Sequence, residues 1–301
     1  MNDGISRLFS PLEMRRLAGL RLGSRFTVEG TMVGAHRSSQ RGVSLEFSDY
    51  RHYVPGDDLR HLDWRAMARS ERLYIRQYEQ ECNLRVYLLV DASGSMGYAG
   101  PGQTAAKFQT AARLAAALAY LTVRQQDNVG LTLFAKELLF QLPAGGGAEH
   151  LRILTNRLAD QKAAGETGIA DTLHRLAGSI RRRALVVIFS DLFDDLDRVR
   201  QALAHFRRRK HDVILYHTLD PAELEFPFRK IVSFVDMETD ERLQVDPRYV
   251  REAYLEEMNR FIETYRKECS DRDIDYVLTS TDTPYDRMLL NYLARRKAML
   301  R

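Results

Sequence analysis

Cysteine is nearly absent: Cys82 and Cys269 are the only two in 301 residues. Two thiols make no disulfide framework, so a fold without cross-links in a reducing compartment is expected. Long apolar runs are missing too. The most apolar stretch, Leu114 to Val123, is bounded by Arg113 and Arg124. It is too short to span a bilayer and reads as a buried core helix. Met1 to Gly30 holds no apolar segment of signal-peptide type. A soluble, cytoplasmic protein without membrane insertion is therefore expected. Charge of one sign is not in excess either, since the formal net charge is only +4. The basic clusters Arg181-Arg182-Arg183, Arg207-Arg208-Arg209-Lys210 and Arg295-Arg296-Lys297 end helices or precede strands. Cations there complement the helix dipole. No aromatic-interleaved basic stripe accompanies them, which argues against a nucleic-acid partner. No internal repeat or low-complexity linker is visible.

Common catalytic motifs are also lacking. A nucleophile elbow needs Gly-x-Ser-x-Gly. Asp91 stands two residues before Ser93, and Ser93 two before Ser95. No Gly-x-x-x-x-Gly-Lys-Ser/Thr run cradles phosphate, and Gly145-Gly146-Gly147 reads as a flexible turn. A dehalogenase-type nucleophile would want a second carboxylate two residues after Asp91, where Ser93 stands. The eight histidines show no metal-ligand spacing; His36, His52 and His61 read as surface or packing residues. No enzyme is expected.

Strands alternate with helices from about residue 84. Apolar runs at 86–90, 129–134, 184–190 and 213–217 read as buried strands, with further strands at 137–142 and 275–278. Helical patterns fall at about 104–126, 148–160, 168–180, 195–209 and 248–270, and from 285. Residues 231–246 read as a hairpin turning at Glu238-Thr239-Asp240-Glu241. This rhythm predicts an α/β fold with a doubly wound, mostly parallel sheet. Residues 1–83 do not follow it and are expected to form a non-repetitive extension packed on a core of residues 84–301.

Asp91-Ala92-Ser93-Gly94-Ser95 follows the first buried strand, Val86 to Val90. A carboxylate and two hydroxyls thus leave the carboxyl end of a strand, where open α/β sheets place ligands. Hard oxygen donors without thiol or imidazole suit Mg²⁺ or Mn²⁺. The Asp-x-Ser-x-Ser spacing resembles the metal-ion-dependent adhesion site of von Willebrand factor A domains. That resemblance implies a von Willebrand factor A or Rossmann-like fold. It adds Thr167, in Gly165-Glu166-Thr167-Gly168-Ile169, and Asp191, at the end of the 184–190 strand. Asp91, Ser93, Ser95, Thr167 and Asp191 are then the implied ligands, some through water. Asp194, Asp195 and Asp197 are read as caps of the following helix.

A second resemblance is narrower. Glu46-Phe47-Ser48-Asp49-Tyr50-Arg51-His52-Tyr53 and Pro55-Gly56-Asp57-Asp58-Leu59-Arg60-His61-Leu62-Asp63-Trp64-Arg65-Ala66 resemble the signature of the "domain of unknown function 58" proteins. The likeness covers about residues 25–200. It implies an adaptor that works with a MoxR-type AAA+ ATPase in assembly or activation of client complexes. The client would present an Asp or Glu to the metal. Many relatives carry N-terminal membrane helices, which this chain lacks. In the extension, Arg–carboxylate pairs are expected to staple the segment, with Trp64 as a buried anchor. Two other functions remain open: a regulatory protein whose metal is purely structural, and a Mg²⁺-dependent hydrolase.

Overall fold

The computed structural model describes residues 4–20, 45–54, 62–64, 66–67, 72–80, 84–103, 105–237 and 241–299. The chain divides into two compact units, residues 1–23 with 84–301 and residues 24–83.

In the larger unit six strands form one sheet: β3 (Arg85–Asp91), β4 (Asn128–Phe134), β5 (Leu138–Gly145), β6 (Leu185–Ser190), β7 (Asp212–Leu219) and β10 (Asp275–Ser280). Their order is β10-β7-β6-β3-β4-β5. All pairings are parallel except β4 with β5. Every residue of β6 and of β7 is buried, as strands covered on both faces must be. The doubly wound, mostly parallel sheet expected from the sequence is therefore present.

Helices cover both faces. α3 (Lys107–Arg124), α4 (Ala148–Asp160) and α9 (Tyr285–Met299) lie on one side. α5 (Ile169–Ser179), α6 (Leu196–Arg208) and α8 (Pro247–Ser270) lie on the other. Leu114 to Ala119 of α3 are all fully buried, which explains why that helix is apolar around its whole circumference. Between β7 and α8 come α7 (Pro221–Glu225) and the hairpin of β8 (Val232–Val235) with β9 (Arg242–Val245). No helix among the described residues is long and apolar enough to cross a membrane. Cys269 is a buried free thiol whose pKa burial pushes up to about 12; Cys82 lies outside the described residues.

The N-terminal boundary differs from the sequence expectation. α1 (Gly4–Leu8) and α2 (Pro11–Leu17) belong to the larger unit, not to the extension. Ser10 and Glu13 form a capping box at the start of α2, so the segment is helical in its own right. Its docking contacts are long-range: Gly4 N donates to Asn156 Oδ1 at 2.6 Å, Arg113 pairs with Glu13 at 2.6 Å and Arg16 with Asp286 at 3.0 Å. Phe9 and Leu17 are buried. A Cβ on Gly4 would sit 2.4 Å from the backbone nitrogen of Asn156. Gly4→Ala is therefore expected to cost about 1–3 kcal/mol and to open residues 4–20 to protease in limited proteolysis. An unchanged melt and digestion pattern would contradict this docking.

In the smaller unit, β1 (Leu45–His52) pairs antiparallel with β2 (Tyr74–Gln80), with a bulge between Phe47 and Asp49. Asp63 Oδ1 accepts from Ala66 N at 3.1 Å and caps a short helical turn. That turn buries Leu62 and Asp63 but leaves Trp64 61% exposed. Trp64 is thus not the buried anchor expected from the sequence, because it opens the capped turn on its outer side. Residues 55–61 and Arg65 of the signature lie outside the described residues, as do the expected Arg–carboxylate pairs.

Candidate metal centre

The strand order reverses between β3 and β6: the chain moves from β3 outward through β4, then returns to β3's other side with β6. Such a switch point leaves a crevice beyond the carboxyl ends of the two strands. Asp91 ends β3 and Asp191 follows β6, and both are fully buried. Asp91 Oδ1 accepts from Ser93 N at 2.9 Å, and its Oδ2 accepts from Ser190 Oγ at 2.7 Å. The Ser93 and Ser95 hydroxyls lie 3.2 Å apart. The chain then enters a 3₁₀ turn, Gly94–Gly97.

Thr167 stands two residues before α5 and is half-buried. Its loop is stitched to the Asp91 loop by Gly94 N to Gly165 O at 2.8 Å and Ala164 N to Ala92 O at 2.9 Å. The structure therefore brings Asp91, Ser93 and Ser95 together through direct contacts. It places Asp191 near enough to act electrostatically on Asp91 and holds the Thr167 loop alongside. Asp194 and Asp195 serve helix starts: Asp194 Oδ2 accepts from Ala170 N at 3.0 Å, and Asp195 Oδ1 from Arg198 N at 2.8 Å.

Four residues that the sequence reading passed over complete the surroundings. Ser190 holds Asp91, as described. Lys107, fully buried at the start of α3, places Nζ 2.8 Å from Asp191 Oδ2 and 2.6 Å from Glu223 Oε1. Glu223 is set by a capping box on α7, where its Oε2 accepts from Asp220 N at 2.7 Å. His217, buried in β7, has Nε2 3.0 Å from the Asp191 carbonyl and Nδ1 2.7 Å from the Tyr276 hydroxyl. Asp220-Pro221-Ala222-Glu223 is a readable capping signature. A lone lysine opening an apolar helix carries no comparable signal.

Burial, with the neighbouring Asp191 carboxylate, pushes Asp91 up to about 7, against the hydrogen bonds from Ser93 and Ser190. Burial raises Glu223 despite Lys107. Burial alone would lower Lys107, but Asp191 and Glu223 outweigh it and hold the ammonium above its usual value. Burial pushes His217 down to about 4, so its imidazole is neutral near pH 7.

The donor set fits a hard divalent cation. It offers carboxylate and hydroxyl oxygens, the ligands Mg²⁺ and Mn²⁺ prefer. Three buried or nearly buried carboxyl groups, Asp91, Asp191 and Glu223, face one ammonium, Lys107. A divalent ion there would offset the repulsion between Asp91 and Asp191. No group of three or more His, Cys, Asp or Glu suited to a metal occurs among the described residues. Beside the centre, on the far side of Glu223, lies a cavity of about 400 Å³ walled by Tyr98, Phe226, Phe228, Phe234, Leu243 and Tyr254.

The chain is similar to two solved structures from Bacteroides. One is an aerotolerance-related membrane protein from Bacteroides fragilis NCTC 9343 with multiple mutations to serines. It is 16% identical, with a TM-score of 0.46, covering 71% of this chain and 100% of that one. The other is the conserved hypothetical protein BatB from Bacteroides thetaiotaomicron, 14% identical, TM-score 0.42, covering 71% and 100%. An uncharacterized protein of Mycobacterium tuberculosis (strain ATCC 25618 / H37Rv) is 29% identical over 214 residues, 70% of this chain. A counterpart in Mycobacterium bovis (strain ATCC BAA-935 / AF2122/97) matches equally. The matched region spans 66% of those relatives' length. The family described as "Protein of unknown function DUF58" matches residues 49–263. The match takes in the second half of β1, all of β2 and the switch-point loops, and the chain belongs to the DUF58 family.

Proposed function

We propose that this protein is a metal-dependent protein-binding adaptor. A Mg²⁺ or Mn²⁺ ion would be held by Asp91, Ser93, Ser95 and Thr167, with Asp191 close behind. The observation that carries this reading is the hydroxyl–carboxylate cluster at the switch point, where Asp91, Ser93 and Ser95 are in direct contact and Asp191 is buried close by. Mg²⁺ retains exchangeable waters in such sites. Neutral hydroxyl ligands leave the ion under-neutralised, which favours an incoming Asp or Glu from a client. The resemblance in the signature residues points to a MoxR-type AAA+ ATPase as the working partner, and the scarcity of cysteine suits action in the cytoplasm. We read the role as non-enzymatic; the imidazole beside Asp191, His217, is tied at both nitrogens.

Full burial of Asp91, Ser93 and Asp191 supports a second reading, in which the ion only joins the loops. The test is affinity capture from native lysate with three baits: the protein with Mg²⁺, the protein with chelator, and Asp91→Ala with Mg²⁺. An AAA+ ATPase recovered only by the first bait is the expected result. The same partners on all three baits would overturn the adaptor reading. A metal-dependent melting shift in that case would leave the structural role.

A further inference from the structure

We infer that Lys107 is the resident cation of the centre. Its ammonium withholds Asp191 from direct metal coordination, leaves Asp91 as the single anionic ligand, and keeps Mg²⁺ affinity low. The inference rests on the metal reading of the site and concerns a positioning residue, not a ligand.

The geometry fixes Lys107 at both ends. Its backbone N donates to Tyr98 O at 3.1 Å, just beyond the Ser95 turn. Its Nζ bridges Asp191 and Glu223 at 2.8 and 2.6 Å. The Phe193 ring lies 4.9 Å and the Tyr98 ring 5.8 Å from that nitrogen. The side chain is 1% exposed, so water cannot take over its role. Asp191 is held in turn. Its Oδ2 faces the ammonium, its Oδ1 accepts from Phe193 N at 3.4 Å, and its carbonyl faces His217. A carboxylate oxygen engaged in a charge-assisted hydrogen bond is a poorer ligand. A fixed ammonium beside it also repels an arriving cation. Both effects leave the bound ion more electron-poor than two free carboxylates would. An electron-poor ion binds a partner's carboxylate more strongly, so low metal affinity and a preference for acidic clients have one origin.

Isothermal titration of the chelator-stripped full chain with MgCl₂ tests this, paired with Mg²⁺-dependent melting. The double variant Lys107→Met/Glu223→Gln removes one charge of each sign and frees Asp191. It is expected to bind Mg²⁺ on the order of tenfold more tightly, the scale of outer-shell effects on metals. Lys107→Arg keeps the charge and should retain wild-type affinity. Glu223→Gln alone concentrates the ammonium on Asp191 and should weaken Mg²⁺ binding, a shift of opposite sign. An unchanged or weaker affinity in a folded double variant overturns the inference. If the double variant does not fold, an unchanged or tighter affinity in Glu223→Gln overturns it. Binding by the double variant but not by wild type would mean that Lys107 fills the site: the inference stands and the metal reading of the native protein falls. No binding by either removes both.

Discussion

Lys107→Met is expected to lower stability by about 3–5 kcal/mol, the range for stripping one partner from a buried ion pair. The lysine is 1% exposed and contacts two carboxylates that are 0% and 15% exposed. Methionine fills most of its volume, so the loss comes from charge rather than from a cavity. Asp191 and Glu223 would be left buried without a counter-ion. The pH dependence follows with a definite sign. Burial already raises the Glu223 pKa, and losing Lys107 raises it further. Lowering the pH favours the protonated form of Glu223, so the defect shrinks in that direction. Adding Glu223→Gln should recover part of it at pH 8. Guanidinium unfolding of the three proteins at pH 8 and pH 5 provides the comparison. A deficit below about 1 kcal/mol at pH 8 would show that the triad contributes little net attraction.

The second large effect has the opposite direction: Asp91→Asn should stabilise the metal-free protein at pH 8. The Asp91 pKa is raised from 3.8 to about 7 by burial and then by Asp191. A raised folded-state value favours the protonated native form. The associated stability is complete below 3.8 and is lost as pH rises through about 7. At about 1.4 kcal/mol per unit, some 4 kcal/mol is forfeited by pH 8. Asparagine has nearly the shape of the neutral acid. Its carbonyl can accept from Ser93 N, and its amide can donate to Ser190 Oγ. His217 adds a counter-trend. Its folded-state value is depressed from 6.5 to about 4, so its stability is present above 6.5 and lost as pH falls through 4. In the native chain the two trends oppose each other between pH 4 and 6.5. Asp91→Asn removes one and exposes the other. The variant should gain about 3 kcal/mol on going from pH 4 to pH 7, while the native chain stays flatter. Melting both in chelator across that range measures it. A variant less stable than wild type at pH 8 would mean the charged Asp91 is better solvated than its burial implies.

Most of the sheet was legible because buried parallel strands are written as unbroken apolar runs. Val86–Val90 and Leu185–Ser190 needed no other signal, and α4 falls at 148–160 as its pattern predicts. Asp91, Ser93 and Ser95 were legible for a local reason, since one loop carries them. Lys107 and Glu223 were not, because Lys107 meets Asp191 across 84 residues of chain and Glu223 across 116. Their role arises only when α3 and α7 converge on the strand ends. Ser10-Pro11-Leu12-Glu13 is a capping box with proline at N1, but helices of 5 and 7 residues are too short to write an apolar period. Trp64 misled because a large aromatic is usually an anchor, whereas here the Asp63 cap decides which way the turn faces.

Strand order also sets how long different parts of the centre survive spontaneous opening. β3 lies between β6 and β4, and β6 between β7 and β3. Their amides are bonded on both sides, so deuterium enters Val86–Val90 and Leu185–Ser190 only when the whole unit unfolds. Among the described residues the β8–β9 hairpin pairs with no third strand, and its amides are expected to exchange by local fraying. Asp91 and Asp191 leave from the slowest-exchanging strands. Thr167 is carried by a loop joined to them through a few backbone bonds. The two carboxylates therefore stand on the part of the unit expected to open last, and the threonine on a segment expected to open sooner, so exchange at Glu166–Gly168 should outpace that at Val86–Val90.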